Sequence, residues 1–224
     1  MYYQFLIEDK SGSLLIHQIM EKIKTNYPQI EYDCKAFHGI GHLPKGNDAN
    51  EIKTGQILND LKIYLRGFDK SLKLFPAVIV IVLDNDDRNT EDFLKRLNQV
   101  AKENFITVNH VFCIAIEELE AWLLGDEKAL LVAYPLAKIQ FLHSYKQDSI
   151  CGTWEVLADI VYKGGYQKLK KYSTSYEEIG KLKCEWACKI GEHLDIRNNS
   201  HLVFSILSEK LKKEPRQAKN VFFV

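Results

Sequence analysis

Acidic residues follow three apolar segments of this chain, at the points where those segments end. Glu8 comes directly after the first segment. Asp84 and Asp86 follow the second, and Glu118 and Glu120 follow the third. Carboxylates that gather without an equal number of bases repel one another, and a hard divalent cation relieves that repulsion. The pattern therefore indicates a Mg²⁺ or Mn²⁺ site that serves phosphoryl transfer.

The apolar segments are typical of buried parallel strands, because helical patterns separate them. We expect strands over 2–7, 30–37, 77–83 and 110–116. This order predicts an α/β fold with a parallel sheet of four or more strands, flanked by helices. Ligands of such sheets bind outside the carboxyl ends of the strands, which is where the acids fall.

The chain divides into two parts on this interpretation. Residues 1–130 form the sheet domain, and residues 131–224 form a mainly helical C-terminal cap. In the second part we expect helices over 153–162, 176–194 and 200–212, a loop over 163–175 and a short closing strand over 221–224. We expect Cys184 and Cys188 to pack in a core and not to bind a metal.

Composition excludes several classes of protein. Lys plus Arg and Asp plus Glu are equal at 30 each, so the whole molecule is not a strongly basic nucleic-acid binder. The first residues lack the basic and apolar regions of a signal peptide, and no apolar run approaches the length of a membrane span. Five cysteines without metal-knuckle spacing favour a reducing, cytoplasmic compartment.

Four basic side chains near the same edge are candidate phosphate ligands. His38, His42 and Lys45 lie in a glycine-containing loop after the second strand, and Arg88 follows the paired aspartates. Glycine allows close approach of the backbone, and these side chains can contact phosphate oxygens. The loop is not a P-loop, because the spacing and the Lys-Ser/Thr ending of that motif are missing.

A glutamate after the first strand and an Asp-x-Asp motif after a later one resemble the Toprim signature. Toprim is the metal-binding domain of topoisomerases, bacterial primases, recombination proteins and overcoming-lysogenization-defect nucleases, and the resemblance covers about residues 1–125. It implies that Glu8 serves acid/base work or binds metal, while Asp84 and Asp86 hold Mg²⁺. Glu118 or Glu120 would complete or orient the metal shell.

A narrower resemblance runs over nearly the whole chain. Residues 38–43, 116–126, 179–187 and 197–200 are similar to a family of small bacterial Toprim-like proteins that are commonly encoded beside an ATPase in defence-type loci. It implies a metal-dependent nuclease in a bacterial defence or DNA-repair context. Its partners would be nucleic acid, DNA rather than RNA, and an ATPase, and a homo-oligomer is compatible with the sequence.

Each motif also has an ordinary structural explanation. Acids favour turns and helix N-termini, and a flexible surface loop accounts for the glycines and histidines. A non-catalytic partner subunit with a Toprim-like scaffold is therefore the main alternative to the enzyme. A receiver-like domain phosphorylated on Asp84 is a third interpretation, although no lysine follows a recognisable fifth strand.

Overall fold

A four-stranded, all-parallel sheet forms the centre of the protein. The structure is a computed structural model, and it describes residues 1–44, 54–115, 118–146, 152–172 and 175–197. The strands are β1 (Tyr2–Ile7), β2 (Glu31–Ala36), β3 (Ala77–Asp84) and β4 (Asn109–Ala115), and their order across the sheet is β2-β1-β3-β4. The predicted α/β class and parallel sheet are thus confirmed.

The strand order places a topological switch point between β1 and β3. These two strands pair in parallel over the whole length of β1, with Tyr2 opposite Ala77 and Ile7 opposite Val82. The connection after β1 leads to β2 at one edge of the sheet, whereas the connection after β3 leads to β4 at the opposite edge. The two connections therefore leave the gap between β1 and β3 in opposite directions. In open α/β sheets the crevice at such a point is where ligands bind.

Helices connect the strands and continue after the sheet. Three of them link consecutive strands, and the remaining helices follow β4. Their bounds are α1 (Lys10–Asn26), α2 (Ile57–Leu72), α3 (Thr90–Glu103), α4 (Glu120–Leu124), α5 (Glu127–Ala133), α6 (Ile139–Ser144), α7 (Thr153–Val161), α8 (Gly165–Tyr172) and α9 (Tyr176–Gly191).

Two apolar cores lie on opposite faces of the sheet, because successive side chains of a strand point to opposite sides. One core joins Phe5 and Val80 to α1 and to helices of the C-terminal part, including Trp186 of α9. The other joins Leu6 and Ile81 to α2 and α3. Every residue of β3 from Ala77 to Leu83 is buried, which explains the uninterrupted apolar run in the sequence.

The expected loop over 163–175 was wrong, since α8 occupies residues Gly165–Tyr172. Gly164 and Gly165 have φ of 105° and 74°, so this glycine pair makes the turn that precedes the helix and is not part of a longer loop. Asp159 accepts a hydrogen bond of 2.7 Å from the backbone N–H of Tyr166, and the buried Leu169 anchors the helix.

Other helix bounds also differ from expectation. α9 ends at Gly191, three residues before the expected end at residue 194, and α7 ends at Val161, one residue before its expected end. The expected helix over 200–212 and strand over 221–224 lie outside the described residues. Among the described helices, none combines the length and apolar character that crossing a bilayer requires.

Candidate functional site

Glu8 and Asp84 meet at the switch point of the sheet. Glu8 follows β1, Asp84 ends β3, and a carboxylate oxygen of Glu8 accepts a hydrogen bond of 3.2 Å from the backbone N–H of Asp84. The sequence separates these residues by 76 positions, and the parallel pairing of their strands brings them together. The structure therefore joins two of the predicted site residues directly.

The segment after β4 reaches the same place. Oδ1 of Asp84 accepts a hydrogen bond of 3.0 Å from the backbone N–H of Leu119. Leu119 lies between Glu118 and Glu120, and all three residues are buried. Three separate strand ends thus deliver acidic residues to one edge of the sheet.

Asp9 begins α1 beside these acids. Its carboxylate accepts hydrogen bonds of 2.7 Å from the backbone N–H of Gly12 and from the hydroxyl of Ser11, so it is the N-cap of the helix. A Cβ atom at Gly12 would lie 2.5 Å from Cδ1 of Leu119. This glycine therefore lets the first turn of α1 approach the segment after β4.

Asp86 lies two residues after the end of β3, and its carboxylate is paired with the side chain of Arg88. Its φ of 52° is in the left-handed region, and its carboxylate forms an ion pair of 2.5 Å with the guanidinium group of Arg88. That guanidinium group also lies over the ring of Phe93, 5.3 Å from its centroid. The predicted phosphate ligand Arg88 thus neutralises the predicted metal ligand Asp86.

Glu118 is bound by the N-terminus of α7. One carboxylate oxygen accepts hydrogen bonds of 3.0 Å from the hydroxyl of Thr153 and from the backbone N–H of Trp154. These are the first residues of the helix, where unpaired N–H groups favour an anion. Glu118 therefore joins the helical C-terminal part to the edge of the sheet.

Glu120 forms a buried ion pair with Lys183 of α9. The distance from Lys183 Nζ to Glu120 Oε1 is 3.0 Å, and the exposed fractions of the two side chains are 18% and 5%. The other oxygen, Glu120 Oε2, is buried and has no hydrogen-bond partner among the described residues. One cation thus enters the acidic cluster from a helix that the sequence places far away.

Burial and mutual repulsion perturb the acids of this cluster. Burial, together with Asp86 and Asp9, raises the pKa of Glu8 to about 7. Burial, followed by the charges of Glu8 and Glu120, raises the pKa of Asp84 well above its ordinary value. Each carboxyl group therefore resists ionisation in the folded chain, which is the strain that a bound cation would relieve.

The opposite effect acts on Lys183. Burial disfavours its charged form, but Glu120, Asp84 and Asp9 outweigh that cost, and the pKa of Lys183 is raised above its ordinary value. Lys183 is therefore a permanent cation at neutral pH.

The loop after β2 borders the cluster through its backbone. The N–H of Gly39 donates a hydrogen bond of 3.0 Å to the carbonyl of Glu8. The side chains of His38 and His42 are exposed, and the backbone N–H of His42 donates to Asn59. Lys45, the remaining basic residue predicted here, lies outside the described residues.

The donor chemistry of the cluster fits a hard divalent cation. Carboxylates of Glu8, Asp84 and Asp86 are oxygen ligands of the kind that Mg²⁺ and Mn²⁺ prefer. The pKa values of Glu8 and Asp84 stay raised although the charge of Lys183 lowers them, so that one cation does not fully compensate these acids. Within the described ranges, however, no three such side chains are already arranged around a common centre. Binding would require Asp86 to exchange Arg88 for the ion.

Sequence reasoning missed Asp9 as a cap and Lys183 as a buried cation. A signal for Lys183 was present, because residues 183, 186, 187 and 190 share one helical face, and the last three are buried. A lysine on an apolar stripe of a helix requires an anionic partner, and the buried acids after β4 supply it.

A broad depression of about 1010 Å³ lies elsewhere, at the far end of α1, where Lys22, Tyr27 and Arg197 contribute to its lining. The 17 residues of α1 separate it from the acids by about 25 Å. It is not part of the acidic site.

Comparisons of this chain with protein-family models, with curated proteins and with solved structures found no match.

Proposed function

We propose that this protein is a metal-dependent phosphoryl-transfer enzyme, and specifically a nuclease. The observation that carries the proposal is the meeting of Glu8 and Asp84 at the switch point of a parallel sheet, with Leu119 bonded to Asp84 from a third strand end. The raised pKa values of Glu8 and Asp84 also support it, because ionising these groups destabilises the fold and such groups cluster at functional sites.

Glu8, Asp84 and Asp86 would hold Mg²⁺ or Mn²⁺. When bound, such an ion neutralises charge on the phosphate oxygens and lowers the pKa of the attacking water. Alternatively, Glu8 would leave the metal to the two aspartates and would take up and release a proton, since its pKa is about 7 in the metal-free chain. Glu118 and Glu120 would orient the site, because α7 and Lys183 hold them in place.

Substrate would approach from the loop after β2. His38 and His42 are exposed on the strand end that borders Glu8, and with Lys45 they would contact phosphates. We propose DNA rather than RNA as the substrate, an ATPase as the partner and the cytoplasm as the compartment. The resemblance to bacterial Toprim-like proteins supports the first two points, and the five cysteines without metal-knuckle spacing support the third.

A cleavage assay tests the proposal. Purified protein, alone and with an ATPase encoded beside it if there is one, is incubated with single- and double-stranded DNA and RNA in Mg²⁺, Mn²⁺ or EDTA. We expect cleavage with either metal and none in EDTA. Asp84→Asn should lose at least about a thousandfold in rate, because it removes one metal ligand charge. Glu31→Gln, an exposed acid at the opposite end of the sheet, is the matched control.

A non-catalytic scaffold remains the second candidate, and one observation favours it. Glu118, Glu120 and Asp86 each have a partner within the chain, so much of the acidic charge is already compensated without an ion. A scaffold has no reason to bind a divalent cation at Glu8 and Asp84. Inert protein on every substrate with both metals, or an Asp84→Asn variant that cuts as fast as the wild type, would favour the scaffold.

A further inference from the structure

Lys183 of α9 is a cation beside the acids that follow β3 and β4. It contacts Glu120 directly, and its charge also acts on Asp84, Asp9 and Glu118. Its helix, α9, packs against α1, which begins beside Glu8. The packing of α9 on α1 therefore holds the ammonium group of Lys183 in place, unlike that of a flexible lysine on the surface.

The surroundings of Lys183 exceed what a simple structural ion pair requires. A buried lysine needs one carboxylate to offset its desolvation, and Glu120 Oε1 at 3.0 Å provides it. Glu120 Oε2 nevertheless stays buried and without a partner in the described part of the chain, as does Glu155 Oε2, whose carboxylate also feels the charge of Lys183. Two carboxylate oxygens beside Lys183 are therefore available as ligands once its ammonium group is removed.

Two sides of the cluster differ in how their charge is compensated. On one side, among the described residues, the carboxylates of Glu8 and Asp84 accept hydrogen bonds only from backbone N–H groups. On the other side Glu120 has the ammonium group of Lys183. A lysine ammonium group is a compact point charge, so it can occupy the position of a metal ion although it carries one positive charge where a divalent ion carries two.

We infer that Lys183 is a positioning residue that takes the place of a second metal ion, so that the site binds one divalent cation beside Glu8 and Asp84 and none beside Glu120. The inference rests on the proposed function, because it specifies the metal content of that same site. Lys183 acts through Glu120 and through the charge that it removes from the cluster. Loss of this cation should let a second divalent ion enter beside Glu120.

A titration of Mn²⁺ into the full-length protein tests this inference. Free Mn²⁺ is followed by electron paramagnetic resonance, and heat by calorimetry, for the wild type, Lys183→Gln and Lys183→Gln/Glu120→Gln. Glutamine keeps a donor for Glu120 and removes the charge, so the fold is disturbed less than by alanine. Lys181→Gln, two positions away on the same helix and 72% exposed, is the matched control.

We expect the wild type and the control to bind one equivalent of Mn²⁺. Lys183→Gln should bind the first equivalent roughly tenfold more tightly or take up a second one, because a positive charge has left the neighbourhood of the ion. The double variant restores the net charge of the cluster and should return to one equivalent with an affinity close to wild type. A purely structural lysine predicts the reverse, namely weaker binding together with a lower melting temperature.

Two results would overturn the inference while leaving the proposed function in place. One is a wild-type protein that binds two equivalents, which needs no substitution to measure. The other is a folded Lys183→Gln variant that binds a single equivalent with unchanged or weaker affinity. A wild type that binds no Mn²⁺ at all would instead overturn the proposed function, and this inference with it.

Discussion

Replacing Glu8 by glutamine should make the protein relatively more stable as the pH rises. Glutamine keeps an oxygen that can accept the hydrogen bond from Asp84 and cannot ionise. Glu8 has a pKa of about 7 in the folded chain against an ordinary value of 4.5. Below pH 4.5 the wild-type carboxyl group is protonated in both folded and unfolded chains, so the charge contributes nothing to the difference. As the pH rises through 7, the folded wild type bears the full cost of ionisation.

The interval between 4.5 and about 7 sets the magnitude. At about 1.4 kcal/mol for each pH unit, the largest possible cost of ionising Glu8 is about 3.5 kcal/mol, and residual solvation of this partly buried group lowers it. The free energy of unfolding of Glu8→Gln, relative to wild type, should therefore increase by about 2 to 3 kcal/mol between pH 5 and pH 8.

Urea denaturation in EDTA, followed by circular dichroism at both pH values, measures this difference. Glu31→Gln, which replaces an exposed acid at the start of β2, should change the free energy of unfolding by less than about 0.5 kcal/mol at either pH. Adding Mg²⁺ at pH 8 should reduce the difference in free energy of unfolding between Glu8→Gln and the wild type, since the ion stabilises only the ionised wild type. A Glu8→Gln variant whose free energy of unfolding differs from that of the wild type by the same amount at pH 5 and pH 8 would show that Glu8 does not titrate near pH 7 in the folded chain.

Three further outcomes follow from the structure. Millimolar Mg²⁺ should raise the melting temperature of the wild type and not of Asp84→Asn, and equal shifts in a thermal-melting assay would contradict the site. Asp126→Ala should lower the free energy of unfolding by about 2 to 4 kcal/mol, because it leaves two backbone N–H groups without acceptors, one at the start of α5 and one at Asp195. A loss below about 1 kcal/mol in urea denaturation would contradict this. Gly12→Ala should cost about 1 to 2 kcal/mol, since its Cβ would lie 2.5 Å from Leu119, and an unchanged denaturation midpoint would show that Leu119 moves aside freely.

Strands β1, β3 and β4 were predictable because each is a short apolar run followed by acids. The expected strand over 77–83 and the observed Ala77–Asp84 differ by one residue, and the first strand matches at both ends. Apolar strands of a parallel sheet are buried on both faces, so their sequence signal is continuous. The convergence of Glu8 and Asp84 then follows from parallel pairing, which places all carboxyl ends at one edge.

The C-terminal part was less predictable because its elements depend on distant partners. The glycine pair before α8 is typical of a loop, and only the cap from Asp159 and the buried Leu169 show that a helix follows. Lys183 lies 63 positions after Glu120, and no local spacing connects them. The packing of α9 on α1 brings them together, and this contact depends on the whole fold.

The most direct test of the account is a crystal structure of the protein grown with Mn²⁺, with anomalous diffraction recorded at the manganese edge. We expect an anomalous peak among the carboxylates of Glu8, Asp84 and Asp86, at oxygen distances of about 2.2 Å, with Arg88 turned away from Asp86. A crystal in which these carboxylates keep their present partners and no anomalous peak lies near them would contradict it.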